Sequence, residues 1–257
     1  MGSSDDLVPV LKKLRLSGVL QTLELRSRQA VEDSLPFTEF LYRLLQDEAE
    51  RRDAKQLQSR IKRANFERSR TLEGFDFQFN SRIPKSRIID LATCNFVLRK
   101  EVILLIGPAG VGKTHLAEAL GHRACMSGHT VLYVTADQML KQLRAARADQ
   151  SYDRRLLRFT TPDLLICDDV GLRPLRDHEP EDLYEVIRQR YERGAMILTS
   201  NRAVTELYPL FGDALLATAA MDRLLHHSQV IVLEGDSFRN PPAGKNRREK
   251  ATAEARP

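Results

Sequence analysis

From residue 101 onward the chain alternates short apolar runs with longer amphipathic stretches. Val102 to Ile106, Val131 to Val134, Leu164 to Cys167, Met196 to Thr199 and Val230 to Leu233 predict five strands. Between them, Lys113 to Met126, Ala136 to Arg147, Pro180 to Arg193 and Asp213 to His226 space their apolar residues as helices do. Strands this apolar are buried on both faces. The alternation therefore predicts an α/β fold, a five-stranded parallel sheet sandwiched by helices. No internal repeat is present.

The first 70 residues carry helical spacing only. Asp5 or Asp6 is the expected cap of a first helix with Leu7, Leu11 and Leu14 on one side. Gly18 is expected to interrupt it, and a second pattern runs through Leu20, Leu23 and Val31. Pro36 opens a long third helix with Phe37, Phe40, Leu41, Leu44 and Leu45 on its apolar side. Beyond Asp47 that helix turns charged, and Leu57, Ile61 and Phe66 continue its stripe. "GFDFQFN" alternates aromatic and polar residues and predicts a short extended segment. "PKSRIIDLATCNFVLRK" reads as a helix leading into the first strand. The expected organisation is a small all-helical N-terminal domain over 1–70, a connector over 71–100, an α/β domain over 101–239 and a basic, disordered tail over 240–257.

Composition adds class. The 257 residues are 42% hydrophobic and 29% charged, as expected of a soluble globular protein. No apolar run reaches the ~20 residues of a membrane helix, and the N-terminus lacks the pattern of a secretory signal. Cys94, Cys125 and Cys167 have no metal-ligand spacing and are expected to be reduced thiols of a cytoplasmic protein, Cys125 and Cys167 in the core. The net charge of +5 is unevenly spread. Residues 51–70 hold eight Lys or Arg against two acids, and 239–257 hold six against two. Lys141, Arg144 and Arg147 form a third cluster. Three basic segments point to nucleic acid, although a solvated helix face is the plain alternative for 51–70.

The chemistry is concentrated in "GPAGVGKTH". Gly107, Pro108, Ala109, Gly110, Val111, Gly112, Lys113 and Thr114 match the phosphate-binding loop in full, between a predicted strand and a predicted helix, and His115 follows. The glycines let backbone amides converge on phosphate, Lys113 is expected to reach the β- and γ-phosphates, and the Thr114 hydroxyl to bind Mg²⁺. The third strand ends in Asp168 and Asp169, where ligands of parallel sheets sit. Asp168 is expected to hold Mg²⁺ and Asp169 to orient or deprotonate the attacking water. Asp168-x-x-Gly171 also fits a GTPase. No lysine here has an aspartate two positions later, so the guanine motif is missing and ATP is the expected nucleotide. "MILTSNR" offers Asn201 to the γ-phosphate, an ordinary turn asparagine being the alternative. Arg223 is a candidate finger for a neighbouring subunit's γ-phosphate, or the partner of an internal salt bridge. His226 and His227 suit a helix C-terminus.

"GPAGVGKTHLAEALG", "LLICDDVG", "ILTSNR" and "MDRLLHHSQVI" together resemble IstB, the AAA+ helper ATPase of bacterial insertion sequences, which is similar in turn to DnaC-type helicase loaders. The resemblance covers nearly the whole chain; the segment from "SNR" to "MDRLLHHS" is its specific part. It implies an AAA+ core with strand order 5-1-4-3-2, Walker A at Gly107 to Thr114, Walker B at Asp168 and Asp169, sensor 1 at Asn201 and an arginine finger at Arg223. It implies ATP-dependent self-assembly on duplex DNA and recruitment of the element's transposase, with no membrane involved. It further implies a DNA-facing helical element at about Ala136 to Phe159, with Lys141, Arg144, Arg147, Arg154 and Arg155. Asp169 stands where many AAA+ proteins carry Glu, which predicts slower hydrolysis, a timer rather than a motor. A C-terminal lid domain is not expected. The alternatives are a helicase loader of the DnaC type and a monomeric small-metabolite kinase.

Overall fold

The computed structural model describes residues 4–80 and 82–240. The chain forms two compact units, Met1–Ser59 and Arg60–Pro257, that divide inside a long helix. The tail expected over 240–257 lies, beyond Asn240, outside the described residues.

The first unit holds helices α1 (Ser4–Lys13), α2 (Ser17–Glu32) and the start of α3 (Phe37–Ala64). Its core is small: Leu11, Val19 and Leu44, with Leu16, Leu20, Leu23 and Phe40 against them. Asp5 and Asp6 fall inside α1 rather than before it. Gly18 does not interrupt a helix; it is buried in the first turn of α2, where a Cβ would run into the Glu48 backbone. The Glu48 carboxylate accepts the Gly18 N–H at 2.5 Å and the Val19 N–H at 3.4 Å, doing for α2 what an N-cap does. The break falls at Leu14–Leu16, where Arg15 takes a φ of 56°. Val31, Phe37, Leu41 and Leu45 are exposed, so the expected apolar stripe of α3 narrows to Phe40 and Leu44.

The second unit is the α/β layer structure. Its strands are β1 (Val102–Ile106), β2 (Val131–Thr135), β3 (Leu164–Asp168), β4 (Ala195–Ser200) and β5 (Ser228–Val232), all parallel, in the order β2-β3-β4-β1-β5. That is the order expected from the resemblance, read from the other edge. The helices are α4 (Lys85–Leu91), α5 (Asn95–Leu98), α6 (Lys113–Met126), α7 (Ala136–Ala148), α8 (Tyr152–Thr160), α9 (Glu179–Arg190) and α10 (Ala214–His226).

Period-two alternation divides the strand residues between two cores. Val102, Leu104, Leu132, Val134, Leu165, Cys167, Met196 and Leu198 join the cluster built with α7 to α10. The residues between them, such as Ile103, Tyr133, Ile166 and Ile197, are also fully buried, and α6 packs against β1 to β4. All three cysteines are buried and free.

Two connector expectations are corrected. "GFDFQFN" forms no strand, because the Asp76 carboxylate accepts the N–H groups of Gln78 (2.8 Å) and Phe79 (3.2 Å) and closes a turn. The single helix expected before β1 is two, α4 and α5, parted at Cys94 with φ 62°.

Candidate functional site

The carboxyl end of the sheet gathers the candidate residues. Register pairs Ile106 with Ser200 and Thr135 with Asp168, so β1, β4 and β3 end at one level. The phosphate loop leaves β1 there and enters α6 at Lys113. Gly110 and Gly112 take φ of 86° and 103°, values that an L side chain resists. A Cβ on Gly112 would also meet the Phe75 ring. Gly107 donates its N–H to Ser200 O at 3.2 Å. The amides of Ala109, Gly110, Val111 and Gly112 have no acceptor among the described residues. Four free donors before a helix N-terminus suit an anion.

Lys113 is nearly buried, and its ammonium is held by Gly107 O (2.7 Å), Pro108 O (2.8 Å) and Asn201 Oδ1 (2.5 Å). Burial pulls its pKa down, and the negative charges of Asp169 and Asp168 oppose that pull. Asn201 is therefore joined to the loop lysine across β4. His115 Nε2–H donates to Thr71 O, 3.0 Å away, and the ring lies edge-on to Phe75. Burial lowers its pKa.

Asp168 is buried and fully engaged. Oδ2 accepts from the Tyr133 hydroxyl at 2.7 Å; Oδ1 accepts from Thr114 at 3.1 Å and from Thr199. Thr199 Oγ1 in turn accepts the Asp169 N–H at 2.9 Å. Asp169 takes φ 58°, which turns it off the strand direction. Burial raises its pKa, the Asp168 charge adds to the rise, and Lys113 and Arg239 oppose it. The Thr114 hydroxyl and the Asp168 carboxylate are adjacent hard oxygen donors, a set that fits Mg²⁺ and not a soft metal.

Arg223 lies elsewhere. With Lys100, Val102, Tyr191, Met196 and His227 it lines a recess at the amino end of β1 and β4. The five residues of β1 put about 13 Å between that recess and the phosphate loop. Arg223 donates to Ala219 O at 2.8 Å and stacks 5.5 Å from the Tyr184 ring, with no ion pair among the described residues. His226 ends α10 and His227 is its C-cap residue; Nδ1 of His226 meets the Tyr191 hydroxyl at 2.8 Å.

The basic candidates divide. Arg147 is committed to buried Asp182 at 2.5 Å, and Lys141 pairs with Asp137 at 2.7 Å. Arg144, Arg154 and Arg155, on α7 and α8, have no ion pair among the described residues. Within 51–70, Arg51 and Arg52 bond to Ser17 O and Glu48, Arg60 to Cys125 O, and Arg70 to Glu118.

Tyr133 is the site residue that sequence reasoning passed over. The signal was available: a lone tyrosine in an apolar strand, two positions before the residue opposite Asp168. A buried phenol needs an acceptor, and the carboxylate supplies it. Arg190 was also missed; fully buried, it donates to Phe159 O, Asp163 O and Ala195 O, and burial lowers its pKa to about 10.

The chain is similar to known proteins. The family model described as "IstB-like ATP binding protein" matches residues 9–248. The chain is 37% identical over 234 residues to a protein of Pseudomonas aeruginosa named as an ATP-binding protein of insertion sequence IS21, covering 91% of this chain and 88% of that one. In fold it is similar to AMPPCP-bound DnaA from Aquifex aeolicus, with a TM-score of 0.58 at 23% identity over 74% of this chain and 56% of that one. It is also similar to the DnaC helicase loader, with a TM-score of 0.50 at 20% identity over 58% and 89%. No helix among the described residues is long and apolar enough to cross a membrane. Its fold is similar to that of DnaA and DnaC, and the chain belongs to the IstB-like ATP-binding proteins of insertion sequences.

Proposed function

We propose that this protein hydrolyses ATP with Mg²⁺, assembles with copies of itself on duplex DNA through phosphate contacts, and in that state recruits and stimulates the transposase of its element, hydrolysis driving disassembly. The observation that carries this reading is the separation of one active site's parts over two ends of the sheet. Lys113, Thr114, Asp168, Asp169 and Asn201 converge at the carboxyl end. Arg223, half-buried and with no ion pair among the described residues, lines a recess at the other end. A cation so placed serves a neighbour's phosphate and not its own subunit's, which couples the chemistry to assembly.

In this reading the loop amides and Lys113 hold the phosphates, and Asn201 moves from the lysine to the γ-phosphate. Thr114 and Asp168 would hold Mg²⁺, which would supply positive charge at the phosphates. Asp169 orients the attacking water and takes its proton, helped by a raised pKa. Its side chain is one methylene shorter than Glu, so turnover is slow. Arg144, Arg154 and Arg155 contact DNA phosphates without reading bases.

The test is duplex binding measured against salt and nucleotide, with sedimentation on the same samples. Affinity falls with salt at a log–log slope of roughly −0.9 per phosphate contact, and it rises with an ATP analogue together with particle mass. A flat salt response removes the DNA reading. A monomer under every condition favours a small-metabolite kinase. Capture of the replicative helicase in place of the transposase favours a helicase loader.

A further inference from the structure

The turn after α9 and the end of α10 meet beside the recess that Arg223 lines. Tyr191 and Glu192 leave α9 in a turn closed by the N–H groups of Arg193 and Gly194, both bonded to Arg190 O at 2.9 Å. The buried Arg190 guanidinium fastens the far end of that turn through Ala195 O. Glu192 takes a φ of 58° there. Across from it, His227 is the C-cap residue of α10, and its carbonyl accepts the Val102 N–H at 2.9 Å. The backbone is therefore anchored on both sides, while the side chains of Glu192, His226 and His227 are exposed.

Those three side chains converge. One ring nitrogen of each histidine and one carboxylate oxygen of Glu192 lie within 4.8 Å of one another. His227 Nε2 is 3.9 Å from Glu192 Oε1. Two ligands with bonds of ~2.1 Å to a tetrahedral ion stand roughly 3.4 Å apart, so a small turn of an exposed side chain closes the gap. The two imidazole rings have centroids 4.1 Å apart. The Tyr191 hydroxyl lies 2.8 Å from His226 Nδ1. In the tautomer that donates Nδ1–H to this oxygen, Nε2 keeps its lone pair for a metal, and a partner on the second nitrogen is what fixes a ligating histidine. No other group of three His, Cys, Asp or Glu is so arranged among the described residues.

Two imidazoles and one carboxylate suit Zn²⁺, in three-ligand sites that leave a fourth position open. Mg²⁺ prefers an all-oxygen shell and gains little here. Lys100 and Arg223 line the adjoining recess together with Glu192 and His227, so net charge does not draw a cation in. Ligand bonds have to do so, which again selects a borderline metal over a hard one.

We infer that Glu192, His226 and His227 form a site for Zn²⁺ or a chemically similar transition metal, with Tyr191 as the residue that positions His226. The site is separate from the Mg²⁺ ligands proposed above, Thr114 and Asp168, and it does not rest on the nucleotide reading. A bound ion ties the end of α10 to the turn after α9, one helical turn from Arg223.

The experiment is calorimetric titration of the full chain with Zn²⁺ in excess Mg²⁺, repeated with Co²⁺ while its visible absorption is followed. One ion binds per chain, and Co²⁺ shows the intense bands of a four- or five-coordinate ion in place of the weak ones of the hydrated ion. His226→Ala, His227→Ala and Glu192→Gln each weaken Zn²⁺ by at least about tenfold, since a lost ligand costs no less than a lost partner of a ligand, and each removes those bands. Tyr191→Phe keeps the bands and weakens Zn²⁺ by about tenfold; an unchanged affinity removes its positioning role. The metal-free variants unfold at the wild-type denaturant midpoint, because the substituted side chains are at the surface. Zn²⁺ binding that survives substitution of both histidines places the ion elsewhere, the cysteines included, and overturns the inference. A wild-type chain that binds no stoichiometric Zn²⁺, or releases it to equimolar Mg²⁺, overturns it as well. A chain that binds Zn²⁺ here and no nucleotide overturns the proposed function and leaves this site standing.

Discussion

The two ends of the sheet are built differently. At the carboxyl end the buried polar side chains are bonded within the subunit: Lys113 has three acceptors and Asp168 three donors. At the amino end Arg223 has one backbone carbonyl, and His226 and His227 are exposed. Buried polar groups without partners cost free energy, so the first end had to be satisfied internally before any ligand arrived. At the second end His226 and His227 are exposed, and Arg223 has no ion pair among the described residues. In the proposed reading a subunit holds nucleotide alone, while completion of its catalytic centre is left to a second copy.

The largest expected effect separates these roles. Arg223→Ala lowers assembly-stimulated ATP hydrolysis by about 10³-fold, while titration of the isolated subunit finds nucleotide affinity within about twofold. A fully active variant removes the finger. Asp169→Asn comes next: hydrolysis measured by phosphate release falls by about 10²-fold or more, nucleotide still binds, and assembled particles persist on DNA in sedimentation. Disassembly at the wild-type rate breaks the link between hydrolysis and release. Lys113→Ala weakens nucleotide by at least about tenfold to 100-fold, the loss of charge-assisted bonds to phosphate, and assembly is lost with it. Undiminished binding of a fluorescent nucleotide would move the site off the loop. The smallest effect is at Tyr133→Phe. It removes a donor from buried Asp168 and costs ~1–3 kcal/mol of stability, read by denaturant unfolding at equal m-value. No loss of stability would mean that Thr114 and Thr199 already suffice for the carboxylate.

Legibility followed the range of the interactions. The loop was readable because its function needs consecutive residues: glycines at fixed offsets, then a lysine and a hydroxyl. The strands were readable because burial on both faces leaves no polar alternation. Their ends were extended by a residue or two, at Thr135, Asp168 and Ser200, where polar side chains hide strand backbone. The helices of the first unit were harder. Phe37, Leu41 and Leu45 lie at core spacing yet stay exposed, and the glycine that looked like a break is the close contact of α2 with Glu48. Arg147 counted as a DNA candidate on charge and on the family resemblance, and buried Asp182 bonds it from 35 positions away.

The sequence alone determined the class of fold, the identity of the phosphate loop and the pair of aspartates, since each depends on spacing along the chain or on burial of a contiguous run. Tertiary structure decided which charges are free. It gave Asp168 its phenol, joined Asn201 to Lys113, paired Arg147 with Asp182 and laid the segment from Gly235 to Phe238 over the loop. Those outcomes depend on partners that the order of strands brings together across 35 to 156 positions, and a distance in space of that kind leaves no period in the chain.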